Sequence, residues 1–143
     1  MTMEFDYERS DAWATLLRLA SSVARLKVVS NLKAAGEAHQ QAFLAAGRAC
    51  SIFAEASLKE GGAQAGALRE ARSAVAHCRA WLQVMLAVAN EPESTVGAEL
   101  ALTEQVSRQL EAMIRLAERG QRTGGRQPAP ARSAPAPARG GRP

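Results

Sequence analysis

The sequence predicts an all-α fold: an antiparallel up-down-up-down four-helix bundle followed by a disordered C-terminal tail. Three observations point there. The apolar residues are mostly Ala and Leu, and aromatics make up only 4% of 143 residues, a composition that favours helix over strand. Apolar residues recur at three- and four-residue intervals along four long stretches. Gly and Pro are sparse before residue 120 and dense after it, so the first part has few turns and therefore long elements. The length supports one hydrophobic core and not two.

The first helix is predicted over Asp11–Val29, with Ser10 or Asp11 as N-cap. Its stripe is Trp13, Leu16, Leu17, Ala20, Val23 and Ala24, widened by Leu19 and Leu26. Asn31 and Gly36 break the chain before a second helix over Glu37–Lys59. That helix is rich in Ala (Ala42, Ala45, Ala46, Ala49, Ala54, Ala56), with Phe43, Leu44, Ile52 and Phe53 as its larger apolar residues. Small side chains allow another helix to approach closely, but each buries little area, so this helix needs neighbours on more than one side.

Gly61-Gly62 separates it from a third helix over Gln64–Ala89. Leu68, Ala71, Val75, Cys78, Leu82, Met85 and Ala89 form one continuous stripe there, and Trp81 and Val88 lie off it beside Ala74. These two suggest a second contact face, within the bundle or between subunits. Asn90-Glu91-Pro92-Glu93-Ser94 is a turn, because Pro92 cannot continue a helix. A fourth helix follows, capped by Ser94 or Thr95 and ending near Arg119, with Gly120 as its C′ residue. Its buried face is Leu100, Thr103, Val106, Leu110, Met113, Ile114 and Ala117.

The organisation is thus a bundle over 1–119 and a tail over 120–143. The tail holds five each of Arg, Pro, Ala and Gly and no acidic residue, and no side chain there can repay the entropy of folding. The charge divides at the same place. The whole chain is +4, but residues 1–119 carry 13 basic and 14 acidic residues, a net charge of −1. The basic character belongs to the tail. Nucleic-acid affinity, if present, is therefore expected from Arg122, Arg126, Arg132, Arg139 and Arg142, through phosphates rather than base edges.

The acidic opening (Glu4, Asp6, Glu8, Asp11) is unlike a secretory signal, and no apolar run is long enough to span a bilayer. The expectation is a cytoplasmic protein with no membrane partner. Cys50 and Cys78 make no disulfide framework and read as small buried hydrophobes. No catalytic set, metal motif, phosphate-binding loop or cofactor fingerprint is present, so the chain is expected to be a non-enzyme without metal or cofactor. His39 is expected in solvent, and His77 and Cys78, adjacent on a helix, point about 100° apart. Glu55, set between Ala54 and Ala56, is either a rim residue or a buried carboxylate paired with Arg48, Arg72 or Arg79.

Phe5-Asp6-Tyr7-Glu8-Arg9 followed by an amphipathic helix resembles the opening of a bacterial four-helix bundle family. That family includes the 23S rRNA intervening-sequence proteins and accessory proteins of diversity-generating retroelements. Phe43–Ala56 resembles its second-helix signature, with Phe53-Ala54-Glu55-Ala56 where the family has Ile-Ala-Glu-Gly. Ala71-Arg72-Ser73-Ala74, then His77, Cys78, Trp81 and Leu82, resembles its third-helix signature. Phe43-Leu44 stand in place of a basic pair, Ile52 in place of Asn, Ala56 in place of Gly and His77 in place of Glu. The resemblance implies a homopentameric ring, a Glu55–Arg72 polar pair and, for retroelement members, a basic surface that binds nucleic acid and the reverse transcriptase. Together with the surplus apolar surface, it gives an expected interface through Phe43, Phe53, Trp81 and Val88. The expected function is a non-enzymatic homo-oligomeric assembly or adaptor presenting a basic tail. The alternative is a nucleic-acid-associated accessory protein.

Overall fold

The computed structural model describes the backbone of residues 6–28 and 30–126 and the side chains of residues 7–28 and 30–120. Among these, every regular element is helical. A 3-10 turn at Asp6–Arg9 leads into α1 (Asp11–Ala24), α2 (Lys33–Ala56) and α3 (Gly61–Ala89). A second 3-10 turn at Glu93–Val96 precedes α4 (Gly97–Arg126). α2 packs between α1 and α3, α3 packs on α4, and α4 closes back on α1.

Interhelical bonds fix the antiparallel register. Cys50 Sγ reaches the Leu16 carbonyl at 3.7 Å, and His39 Nε2 donates to the Val23 carbonyl at 2.6 Å. Gln64 donates to the Ala56 carbonyl (3.2 Å), and Arg48 bonds His77 further along the two helices (3.0 Å). Arg69 pairs with Glu118 and Arg79 with Glu104 along α3 and α4.

The core follows the periodic stripes. Leu16, Leu19 and Val23 of α1, Phe53 of α2, Val75, Cys78 and Leu82 of α3, and Val106 and Leu110 of α4 are all buried. Ala42, Ala45, Ala46, Ala49 and Ala56 of α2 and Ala67, Ala71 and Ala74 of α3 are buried with them. Leu17 and Ala24 are the exceptions on α1. They are exposed, and Leu19 is buried in the core. Tyr7 from the first turn meets Trp13 edge-on, and Trp13 stacks on Phe53 with ring centres 6.2 Å apart. This cluster closes the end of the bundle where α1 begins.

Helix ends differ from the sequence expectation, for local reasons. α1 stops at Ala24, and Leu26 and Val28 pack on the core from outside the helix. His39 adds a side-chain bond to the Val23 carbonyl there, which also accepts from Leu26 N–H at 3.2 Å. α2 starts earlier than expected, so Gly36 lies inside it, and it ends at Ala56. α3 begins at Gly61, whose φ of 57° suits glycine. Its end is a Schellman arrangement: Asn90 is left-handed, Glu91 N–H donates to Leu86 and Asn90 N–H to Ala87. Ser94 and Thr95 fall within the second 3-10 turn and do not cap α4. Ser10 is the N-cap of α1, accepting from Ala12 N–H at 3.1 Å. α4 continues through Gly120 to Arg126, so Gly120 is not its C′ residue.

Candidate functional site

The outer face of the α2–α3 pair carries the most unusual surface. Along α2, Lys33, Glu37, Gln41, Leu44, Arg48, Ser51 and Glu55 follow one another at three- and four-residue steps, and all are exposed. This repeat keeps them on one face of the helix. Along α3, His77, Trp81, Val84 and Val88 follow the same steps. Leu44 is 49% exposed, Val84 43% and Trp81 38%. Between the two rows runs an open groove of about 670 Å³, lined by Ala34, Glu37, Gln41, Trp81, Val84 and Val88 among others. At one end Arg48 Nη2 donates to His77 Nδ1 at 3.0 Å. Arginine has no acceptor, so the His77 ring nitrogen is the accepting side of this contact.

A second cleft, about 570 Å³, lies between α1 and the start of α4. Leu17, Arg18, Ser22, Arg25, Glu99 and Leu102 are among its lining residues. Glu99 is only 7% exposed and accepts a hydrogen bond from Ser22 Oγ. Its place in the first turn of α4 sets its carboxylate near the positive end of the helix dipole. Arg18, Arg25 and Lys27 have no carboxylate partner among the described residues, and no acidic residue occurs between Asp11 and Glu37. The folded part thus holds a local basic stretch that its overall charge conceals.

The α3–α4 seam uses its arginines differently. Arg69 pairs with Glu118, Arg72 with Glu111 (3.8 Å) and Arg79 with Glu104 (3.4 Å). Arg79 also donates to the Leu100 carbonyl (3.1 Å) and to Thr103 Oγ1 (2.8 Å). The acidic partners repeat every seven residues, the period of a helix–helix seam. This corrects the Glu55–Arg72 pairing: Arg72 turns toward α4, while Glu55 stays exposed on the far side of α2. The regular spacing of Glu104, Glu111 and Glu118 was the sequence signal for the actual partners.

Of the expected interface residues, Trp81 and Val88 share the α2–α3 groove. Phe53 does not. It is 2% exposed and stacked on Trp13, so it belongs to the core. Phe43 is 41% exposed but sits on the side of α2 that carries His39 and Cys50, toward α1. The tail arginines divide. Arg122 and Arg126 lie in α4 rather than in an extended segment, whereas Arg132, Arg139 and Arg142 fall outside the described residues. His39, expected in solvent, is part-buried and bonded to α1.

Among the described residues no group of three or more His, Cys, Asp or Glu side chains is placed to hold a metal ion, and no helix is long and apolar enough to cross a membrane. Comparison with family models, curated proteins and solved structures yields no match to this chain. Both cysteines are free, and burial pushes both thiols up, Cys78 from an ordinary 9.0 to about 12. A raised folded-state pKa means the folded chain holds the proton more tightly than the unfolded one. The Cys78 contribution to stability is therefore complete below pH 9 and lost as pH rises toward 12. Because the thiolate is the nucleophile, Cys78 should alkylate at pH 8 at least about 100-fold more slowly in the native protein than in denaturant. Mass-mapped iodoacetamide labelling measures this, and equal rates would place Cys78 outside the core.

Proposed function

We propose that this chain is a non-enzymatic, homo-oligomeric scaffold or adaptor that assembles copies of itself through the α2–α3 face and presents its Arg-rich C-terminal segment on the assembly. The observation that carries this is the exposure of Leu44, Trp81 and Val84 beside one open groove. Soluble chains rarely leave a contiguous apolar patch uncovered, and Trp is enriched at the anchoring positions of interfaces. The charges of the α2 row are Lys33, Glu37, Arg48 and Glu55. Both signs are equally represented, so the row has no net charge with which to select an acidic or a basic partner. A second copy of the same surface is the occupant that suits it. The pentameric stoichiometry implied by the family resemblance has no independent support on this face.

A second reading, nucleic-acid association, is favoured by the uncompensated Arg18, Arg25 and Lys27 on and just after α1, together with the five arginines after Gly120. Phosphate contacts from these groups would make binding weak, sequence-independent and steeply salt-dependent. A salt titration comparing the full chain with one ending at Gly120 separates α1 from the five arginines that follow. Full affinity in the shorter chain assigns binding to the folded part, and no binding by either removes this reading.

The assembly reading predicts a solution mass at least twice the 15.2 kDa chain at micromolar concentration. Trp81→Glu should reduce it to the single-chain value while leaving the helical signal intact, as an exposed position allows. Light scattering with circular dichroism makes the measurement. A wild-type mass of one chain contradicts the reading.

A further inference from the structure

The exposed row of α2 has an order as well as a composition. Reading from its N-terminal end, the residues are Lys33, Glu37, Gln41, Leu44, Arg48, Ser51 and Glu55. The charges run positive, negative, neutral, neutral, positive, neutral, negative. Reversed end to end, the row runs negative, neutral, positive, neutral, neutral, negative, positive. Laid antiparallel against itself, it therefore sets Glu37 against Arg48, Gln41 against Leu44, and Lys33 near Glu55. A parallel alignment sets every charge against its own kind.

We propose that the α2–α3 face forms an isologous, antiparallel contact with a second copy of this chain. It is held at both ends by Glu37 of each copy pairing with Arg48 of the other, with Leu44, Trp81 and Val84 at the centre. This rests on assembly through that face and adds its register and symmetry. The two-fold axis lies in the contact plane, perpendicular to the helices, and crosses α2 between Gln41 and Leu44. α3 obeys the same axis, because Trp81 and Val84 lie either side of its midpoint between His77 and Val88. From His77 to Val88, α3 carries no carboxylate to oppose the arrangement. Residues related by such an axis contact each other reciprocally, so one favourable pair occurs twice.

The details of the free surface fit this use. Glu37 and Arg48 are both exposed, and among the described residues Glu37 forms an ion pair with Lys33 alone, at 4.0 Å. Arg48 is steadied by its bond to His77 Nδ1, which occupies one donor and leaves the others of the guanidinium for a carboxylate. The two groups are 11 positions apart on α2, about 16 Å along the axis, so they bracket the apolar centre as a polar rim. Complementary charges of this kind set register and exclude wrong alignments more than they add affinity.

The test is a charge-reversal cycle on the full-length chain, read by sedimentation equilibrium. Glu37→Arg and Arg48→Glu each create two like-charge pairs, and each should weaken dimerisation at least about tenfold. The double variant Glu37→Arg/Arg48→Glu restores the pairs in reverse and should recover to within about threefold of wild type. Single variants that weaken association without recovery in the double overturn the proposed register. An assembly that ignores both single reversals overturns this contact while leaving self-association standing. A wild-type chain that is monomeric throughout overturns both.

Discussion

The packing of α2 on α3 through alanine is the constraint on which the rest of the molecule depends. Ala45, Ala49 and Ala56 on one helix, and Ala67, Ala71 and Ala74 with Cys78 on the other, are buried. The Arg48–His77 and Gln64–Ala56 bonds tie the two helices together at separate points along this contact. Side chains this small let helices approach closely, but each buries little area. The larger apolar groups must therefore work elsewhere. Phe53, Leu16, Leu19, Leu82 and Leu110 fill the centre of the bundle, and the Tyr7–Trp13–Phe53 cluster closes one end. Leu44, Trp81 and Val84, displaced to the outside of the pair, form the face assigned to self-assembly.

The same arrangement distributes charge. The α3–α4 seam neutralises Arg69, Arg72 and Arg79 with glutamates one heptad apart. Exposed pairs of this sort contribute at most about 1 kcal/mol each, so their consequence is mainly to set register. α1, by contrast, has Arg18 and Arg25 flanking a cleft whose single carboxylate, Glu99, is buried against Ser22. A net charge near zero over residues 1–119 thus averages a compensated seam, a self-complementary row on α2 and a basic stretch on α1.

The four helices and most of the core were legible in the sequence, because a stripe such as Leu68–Ala71–Val75–Cys78–Leu82 has one way to be buried. Partner choice was not. Glu55 and Arg72 lie on helices that do pack together, yet each side chain leaves its helix on a different side. Phe53 read as surplus apolar surface because its stacking partner, Trp13, is 40 positions away in the chain. Helix ends shifted where tertiary contacts intervened, as at the end of α1, where His39 bonds the Val23 carbonyl. Glu99 gave no sequence signal, since its burial depends on α1 folding back over the first turn of α4. The α2 row was visible as residues, but its exposure, and hence the meaning of its charge order, required the fold.

The organisation of the bundle depends on close packing of α2 on α3 through small buried side chains such as Ala49. Ala49→Leu tests it most directly, because leucine is nearly as good a helix former as alanine and adds apolar area that would be stabilising in a roomier seam. Equilibrium chemical unfolding of this variant should show a loss of about 1–3 kcal/mol, the usual cost of overfilling a well-packed core. Unchanged or increased stability would mean that the seam has space to spare, and that close alanine packing is not what organises the bundle.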